Sequence, residues 1–210
     1  MAMSHPVEPV LHPVAIRDLR PTQMTVGLRE VEAKRSAWRA RVVRDGGEFL
    51  GSHMIPAVTG PGDSLWAIDH HHLLRALHDE GVETVLVSLV AHLGHLPKAR
   101  FLAFMDARNW LHPYDAQGKR RDWKELPRHI GKLADDPYRS LAGEVRRAGG
   151  YAKSTVPYTE FLWADFMRDH IKPHKLADDF DRALAKALAL SRSHKARHLP
   201  GYAGPEDSSG

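Results

Sequence analysis

Trp66-Ala67-Ile68-Asp69-His70-His71-His72-Leu73-Leu74-Arg75-Ala76-Leu77 decides the reading of this chain, because an apolar run meets one carboxylate and three histidines, then becomes a leucine-faced helix. The stretch predicts a strand from Ser64 to Ile68, a junction at Asp69, and a helix from His70 to Glu80 that stops at Gly81. At about 100° per residue, Leu73, Leu74 and Leu77 share one face with His70, whereas His71, His72 and Arg75 lie on the other. The expectation is that Asp69 caps the helix, that His70 packs among the leucines, and that His71, His72 and Arg75 point away from the core. The first backbone N–H groups and the positive end of the helix dipole then lie where the imidazoles cluster, an arrangement suited to phosphate.

Working outward, Val10 to Ile16 reads as a strand ending at the Arg17-Asp18-Leu19-Arg20-Pro21 turn, since proline disfavours helix at the residue before it. Thr25 to Ala40 reads as a helix with Leu28, Val31, Arg35 and Trp38 at helical spacing and with Glu30 and Lys34 at i,i+4. Asp45-Gly46-Gly47 reads as a turn, Phe49 to Val58 as extended, Thr59-Gly60-Pro61-Gly62-Asp63 as a second turn, and Val82 to Leu93 as a strand. From Pro97 the pattern is helical: Pro97 to Trp110, Asp136-Pro137 through Arg147, Thr159 to Ile171, and Lys175 to Ser193. The aromatic residues of this half read as core. The fold class is therefore α/β in the α+β sense, a mixed sheet with helices followed by a mostly helical C-terminal half. The expected organisation is a core over 8–96, a helical extension over 97–191, and a disordered tail over 192–210.

The chain has 210 residues, enough for a substantial core, and no cysteine, so thiolate nucleophiles, disulfides and iron–sulfur clusters are excluded. Neither an N-terminal apolar signal region nor a run of about 18 apolar residues occurs, and a cytoplasmic protein with no membrane partner is the default. Thirty basic residues against 26 acidic ones give a net charge of +4, compatible with nucleic acid without requiring it. Fifteen histidines should strengthen polyanion binding as pH falls through about 6.5.

The residues themselves outline a chemistry. Nucleotide phosphates need dispersed positive charge and N–H donors, which the helix start, His71, His72 and Arg75 can supply. Asp69 can hold Mg²⁺ or take a proton from an attacking hydroxyl; Glu30 is the expected second carboxylate, with Glu32 in reserve. Ser140, in the first turn after Pro137, can offer a hydroxyl or an N–H to an anion. Lys119-Arg120-Arg121-Asp122-Trp123-Lys124 is a basic loop with an aromatic that suits either a phosphate backbone or plain solvent, and His92-Leu93-Gly94-His95 lacks the carboxylate that would complete a metal site.

Pro21-Thr22-Gln23-Met24-Thr25-Val26-Gly27, the Ile68-Asp69-His70-His71-His72 box, and Ser140-Leu141-Ala142 with Arg146-Arg147-Ala148-Gly149-Gly150-Tyr151 resemble the ParB-like nuclease family of the ParB/sulfiredoxin superfamily over residues 8–172. The resemblance implies a small α/β domain whose strand, polar box and helix cradle nucleotide phosphates. Superfamily members include chromosome-partitioning proteins that bind and hydrolyse CTP, sulfiredoxins, and kinases that phosphorylate free serine. Asp69, His71 and His72 match the box; its glycine is replaced by His70 and its arginine by Leu73, with Arg75 the candidate substitute. Gln23 occupies the turn where superfamily members often carry an acid, and is expected to orient a ligand. Three functions follow. The first is a nucleotide-phosphate-binding phosphotransfer or phosphate-hydrolysing enzyme, with Mg²⁺ and ATP, ADP or CTP. The second is a metal-dependent nuclease with Asp69 and the histidines of the box on the ion and DNA held by the basic loop near Arg121, and the third a non-catalytic partition-like DNA-binding module.

Overall fold

The computed structural model of the chain describes residues 11–205, with the side chains of 11 and 43–47 outside the description. Two compact units divide it. The first comprises residues up to Met24, Val31–Pro113 and Arg121–Leu133; the second comprises Thr25–Glu30, Tyr114–Arg120 and the chain from Ala134 onward.

The first unit is built on a five-stranded mixed sheet. Its strands are β1 (Leu11–Ala15), β2 (Leu19–Pro21), β4 (Ile55–Gly60), β5 (Ser64–Ala67) and β6 (Thr84–His92), in the order β1-β6-β4-β5-β2. β4 runs parallel to β6 and β2 parallel to β5, while β1–β6 and β4–β5 are antiparallel. Pairing of β2 with β5 sets Arg20 opposite Trp66 and Pro21 opposite Ala67, so both strands end together where the polar box begins. Helix α2 (His71–Asp79) follows β5, buries Leu73, Leu74 and Leu77, and stops at Gly81, which takes a positive φ of 73°. Helix α3 (Lys98–Ala107) places Phe101, Leu102 and Met105 against Val58, Trp66, Leu93, Leu111 and Leu126 to form the core of this unit.

The second unit holds the short parallel pair β3 (Thr25–Val26) and β7 (Ala134–Asp135) with helices α4 (Pro137–Arg147), α5 (Thr159–His170), α6 (Pro173–Asp178) and α7 (Phe180–Ser191). Its core gathers Leu141, Val145, Tyr151, Trp163, Met167 and Ala187; the Tyr151 and Trp163 rings stack with centroids 4.2 Å apart. Aromatic residues of the helical half thus build a core, and the buried Trp163 indole donates to the Pro200 carbonyl at 2.9 Å.

Several elements differ from their sequence-based expectation. Helix α1 (Leu28–Ser52) runs through Asp45-Gly46-Gly47, and extended chain begins only at Ile55. Two glycines cost a helix roughly 1 kcal/mol each, and here tertiary burial outweighs it: Phe49 lies beyond them, buried, edge-on to Trp38 at 5.4 Å. The Lys175 to Ser193 helix is two helices, because Asp179 leaves helical geometry and its carboxylate caps α7 by accepting the Arg182 N–H at 3.0 Å. Between α3 and α4, where the basic loop was expected, the chain forms short 3-10 turns over Trp123–Glu125 and Ile130–Lys132. After α7, where periodicity fades, Ala196 and Leu199 are nonetheless buried in the core of the second unit; residues 206–210 lie outside the described residues.

Gly27, between β3 and α1, has a packing role. A Cβ there would stand 2.6 Å from the backbone N and the Oγ of Ser140. Gly27→Ala is expected to destabilise the protein by about 1–3 kcal/mol, read by denaturant unfolding. An unchanged midpoint would mean that α4 yields at no cost.

Candidate nucleotide site

The box sits where β5 gives way to α2, and its geometry departs from a simple capped helix. Asp69 is exposed and its Oδ1 accepts the His70 N–H at 2.6 Å. The residue that caps α2 is His70, with φ 62° and ψ 28°, and no side chain bonds to the helix start. The expectation that Asp69 is the cap therefore fails by one residue. His70, expected among the leucines, is exposed, because a left-handed residue swings its side chain off the face that helical spacing assigns. That conformation is one glycine adopts freely and other residues resist, so a residue with a side chain is held here in a backbone shape suited to glycine.

His71 and His72 are buried, not turned outward. A helical wheel sees only one covered face, whereas the end of β2 covers this turn as well. The Thr22 N–H donates to His71 Nε2 at 3.1 Å, and the Thr22 hydroxyl donates to the Ala67 carbonyl at 2.8 Å. An accepting Nε2 places the proton of the neutral ring on Nδ1. His71 thus holds the β2 end against the first turn of α2, and is a positioning residue. Gln23 follows directly, and its Oε1 is buried without a hydrogen-bond partner, an acceptor whose desolvation is left uncompensated. Arg75 is committed elsewhere: Nε meets both carboxylate oxygens of Asp79 at 3.0 Å, and a terminal nitrogen donates to the Leu133 carbonyl at 2.6 Å. Its role as substitute for the box arginine would require those bonds to be exchanged.

Glu30 and Ser140 belong to the second unit, whereas the box belongs to the first. Ser140 is buried and its Oγ accepts the Arg29 N–H at 3.2 Å, while Asp135 accepts the Leu28 N–H at 2.9 Å. These two side chains cap α1. Beside Ser140, the Arg139 guanidinium is fully buried over the Phe161 ring at 3.6 Å, and burial lowers its pKa against the opposing pull of Glu160, Asp136 and Glu30. Glu30 is thus one of the carboxylates that balance Arg139, and it also acts on Arg147. Sequence reading passed over Arg139; its only signal was its place in the turn opened by Asp136-Pro137.

The basic loop divides. Lys119 and Arg120 belong to the second unit, whereas Trp123 and Lys124 belong to the first and line a cavity there with Arg20. His92 and His95 are both exposed, and among the described residues no group of three or more His, Asp or Glu side chains is disposed to hold a metal ion. A Mg²⁺ ion carried on phosphate oxygens would ask for one or two carboxylates, and Asp69 is the exposed carboxylate beside the helix start that could offer one. No helix among the described residues is long and apolar enough to cross a membrane.

The sequence model of the family described as Putative ParB-like nuclease matches residues 12–169, most of the chain. The chain belongs to that family. This ParB-like nuclease-family protein is also similar to a solved structure, the crystal structure of protein Atu1540 from Agrobacterium tumefaciens. The two share 54% identity with a TM-score of 0.90, over 95% of this chain and 100% of the other. No curated protein matches the chain.

Proposed function

We propose that the protein binds the phosphates of a nucleotide at the start of α2 and turns that nucleotide over by phosphoryl transfer or hydrolysis. One observation carries the reading. An exposed, left-handed, non-glycine residue, His70, opens an α-helix that no side chain caps, immediately after an exposed carboxylate. Strained backbone of this kind costs about 1–3 kcal/mol and persists where surrounding structure imposes it, often at ligand sites. The helix start offers N–H donors and the positive end of a dipole to an anion. His70 can add an imidazole N–H, and Gln23 a buried acceptor that orients a hydroxyl or amino group. Asp69 is the base that takes the proton of the attacking hydroxyl or water. Mg²⁺, when bound with the phosphates, supplies charge neutralisation of the leaving oxygens.

DNA cleavage is the second reading, favoured by the family's description and by the cations that line the cavity at Trp123. A DNA-binding module without turnover would share those cations and show no chemistry at all. Thermal unfolding against ATP, ADP, CTP, GTP and a short duplex, each with and without Mg²⁺, separates the three. A ligand at about 100 times its Kd adds roughly 2.7 kcal/mol of stability. One nucleotide should stabilise the protein in a Mg²⁺-dependent way. His70→Gly, which relieves the left-handed strain, should keep that shift, and His70→Asp, which places a negative charge beside the phosphates, should abolish it. Stabilisation by no nucleotide, or an undiminished shift in His70→Asp, refutes the reading; a shift with duplex alone transfers support to DNA.

A further inference from the structure

Arg20 and Trp66 face each other across β2 and β5, with the guanidinium 5.4 Å from the indole centroid. Opposite them stands the 3-10 turn Trp123–Glu125. Its capping box fixes it: Asp122 accepts the Lys124 N–H at 2.8 Å, and Glu125 accepts the Asp122 N–H at 3.1 Å. Lys98 and Lys124 hold their ammonium groups 5.2 and 5.4 Å from the Trp123 ring. With Arg128 these residues enclose a cavity of about 300 Å³, all within the first unit. Among the described residues, no carboxylate lies within ion-pair distance of Arg20, Lys98, Lys124 or Arg128. A second cavity of about 420 Å³ shares Arg20 and Arg128 and adds Arg17 and His129, with Asp18 and Asp63 also in its wall.

We propose that these two cavities, which share Arg20 and Arg128 in their walls, bind single-stranded nucleic acid, with one base stacked on Trp123 and the backbone phosphates on Arg20, Arg128, Lys98 and Lys124. Four cations without carboxylate partners mark a polyanion and exclude a cationic ligand. A half-buried indole between two ammonium groups adds what a bare phosphate ligand would not use, a surface for a base. The first cavity matches the space of one nucleotide, and the second shares two arginines with it and adds Arg17 to the cationic lining. Duplex DNA keeps its bases stacked inside and could not reach Trp123. This site is separate from the start of α2 and stands whether or not a nucleotide is turned over there.

Fluorescence anisotropy of the full chain with a labelled oligothymidylate of about 15 nucleotides at about 50 mM salt tests it. The single strand should bind, and the same length of duplex should bind several-fold more weakly. Trp123→Ala should weaken strand binding by about 5- to 150-fold, the range of one missing base stack, while leaving competition by inorganic polyphosphate unchanged. Arg128→Glu and Lys98→Glu, both at exposed positions, should weaken strand and polyphosphate alike and reduce the slope of log Kd against log salt by about 0.7 for each phosphate no longer neutralised. His70→Asp should bind the strand as the parent does. Circular dichroism and melting of each variant confirm that a loss of binding is not a loss of fold. The proposal is overturned by no binding to the strand, by equal affinity for duplex, by parental affinity in all three cavity variants, by loss of strand binding in His70→Asp, or by thymidine monophosphate competing as well as the strand.

Discussion

Asp69→Asn is expected to lower nucleotide turnover by about 100-fold or more, the usual worth of a positioned general base, while changing nucleotide affinity only a few-fold. The substitution is chosen for what it keeps. An amide oxygen can still accept the His70 N–H that Asp69 Oδ1 accepts at 2.6 Å, so the left-handed turn and the start of α2 retain their geometry. What disappears is the carboxylate, and with it the proton acceptor and the Mg²⁺ contact that the proposed function assigns to Asp69. The measurement is single-turnover product formation on whichever nucleotide stabilises the protein, alongside its Kd. Undiminished turnover would remove Asp69 from the chemistry; loss of binding without loss of turnover per bound nucleotide would make it a residue that only holds the ligand.

Asp136→Ala should destabilise the protein by about 3–5 kcal/mol, since it strips a partner from a buried ion pair. Asp136 does two jobs from one buried carboxylate. Oδ1 accepts the Tyr138 N–H at 3.0 Å as the cap of α4, and Oδ2 receives the Arg168 guanidinium at 2.6 Å from α5. Burial raises the carboxyl pKa even with Arg168 beside it, which shows how poorly solvated the pair is. Arg168 would keep Asp165 as a partner, so the loss is bounded. Asp136→Asn, which preserves the cap, should cost less than Asp136→Ala. Equal costs in urea unfolding would assign the whole effect to the ion pair, and a cost under about 1 kcal/mol for Asp136→Ala would show that the cap alone matters.

How far the sequence reading reached can be judged at single residues. Leu73, Leu74 and Leu77 announced the buried stripe of α2, and Asp136-Pro137 announced the start of α4, because capping and periodicity are local properties that survive whatever packs around them. Family membership was likewise legible, since the Pro-Thr-Gln turn and the histidine box are short and contiguous. The orientation of His71 and His72 was not. It depends on Thr22, 49 residues earlier, whose N–H reaches His71 only because β2 lies parallel to β5. Gly46 and Gly47 misled for the same reason: their local cost is real, and burial of Phe49 beyond them outweighs it.

The sequence by itself determined the fold class, most of the strands and helices, and the family. Tertiary structure alone decided that His70 and not Asp69 opens α2, that Arg75 is held by Asp79 and Leu133, that Ser140 caps α1, and that Arg20, Lys98, Trp123 and Arg128 surround one cavity. The division has a physical cause. Helix and strand preferences act between residues a few positions apart, whereas the cavity joins residues from 20 to 128, brought together by strand pairing that no local pattern encodes.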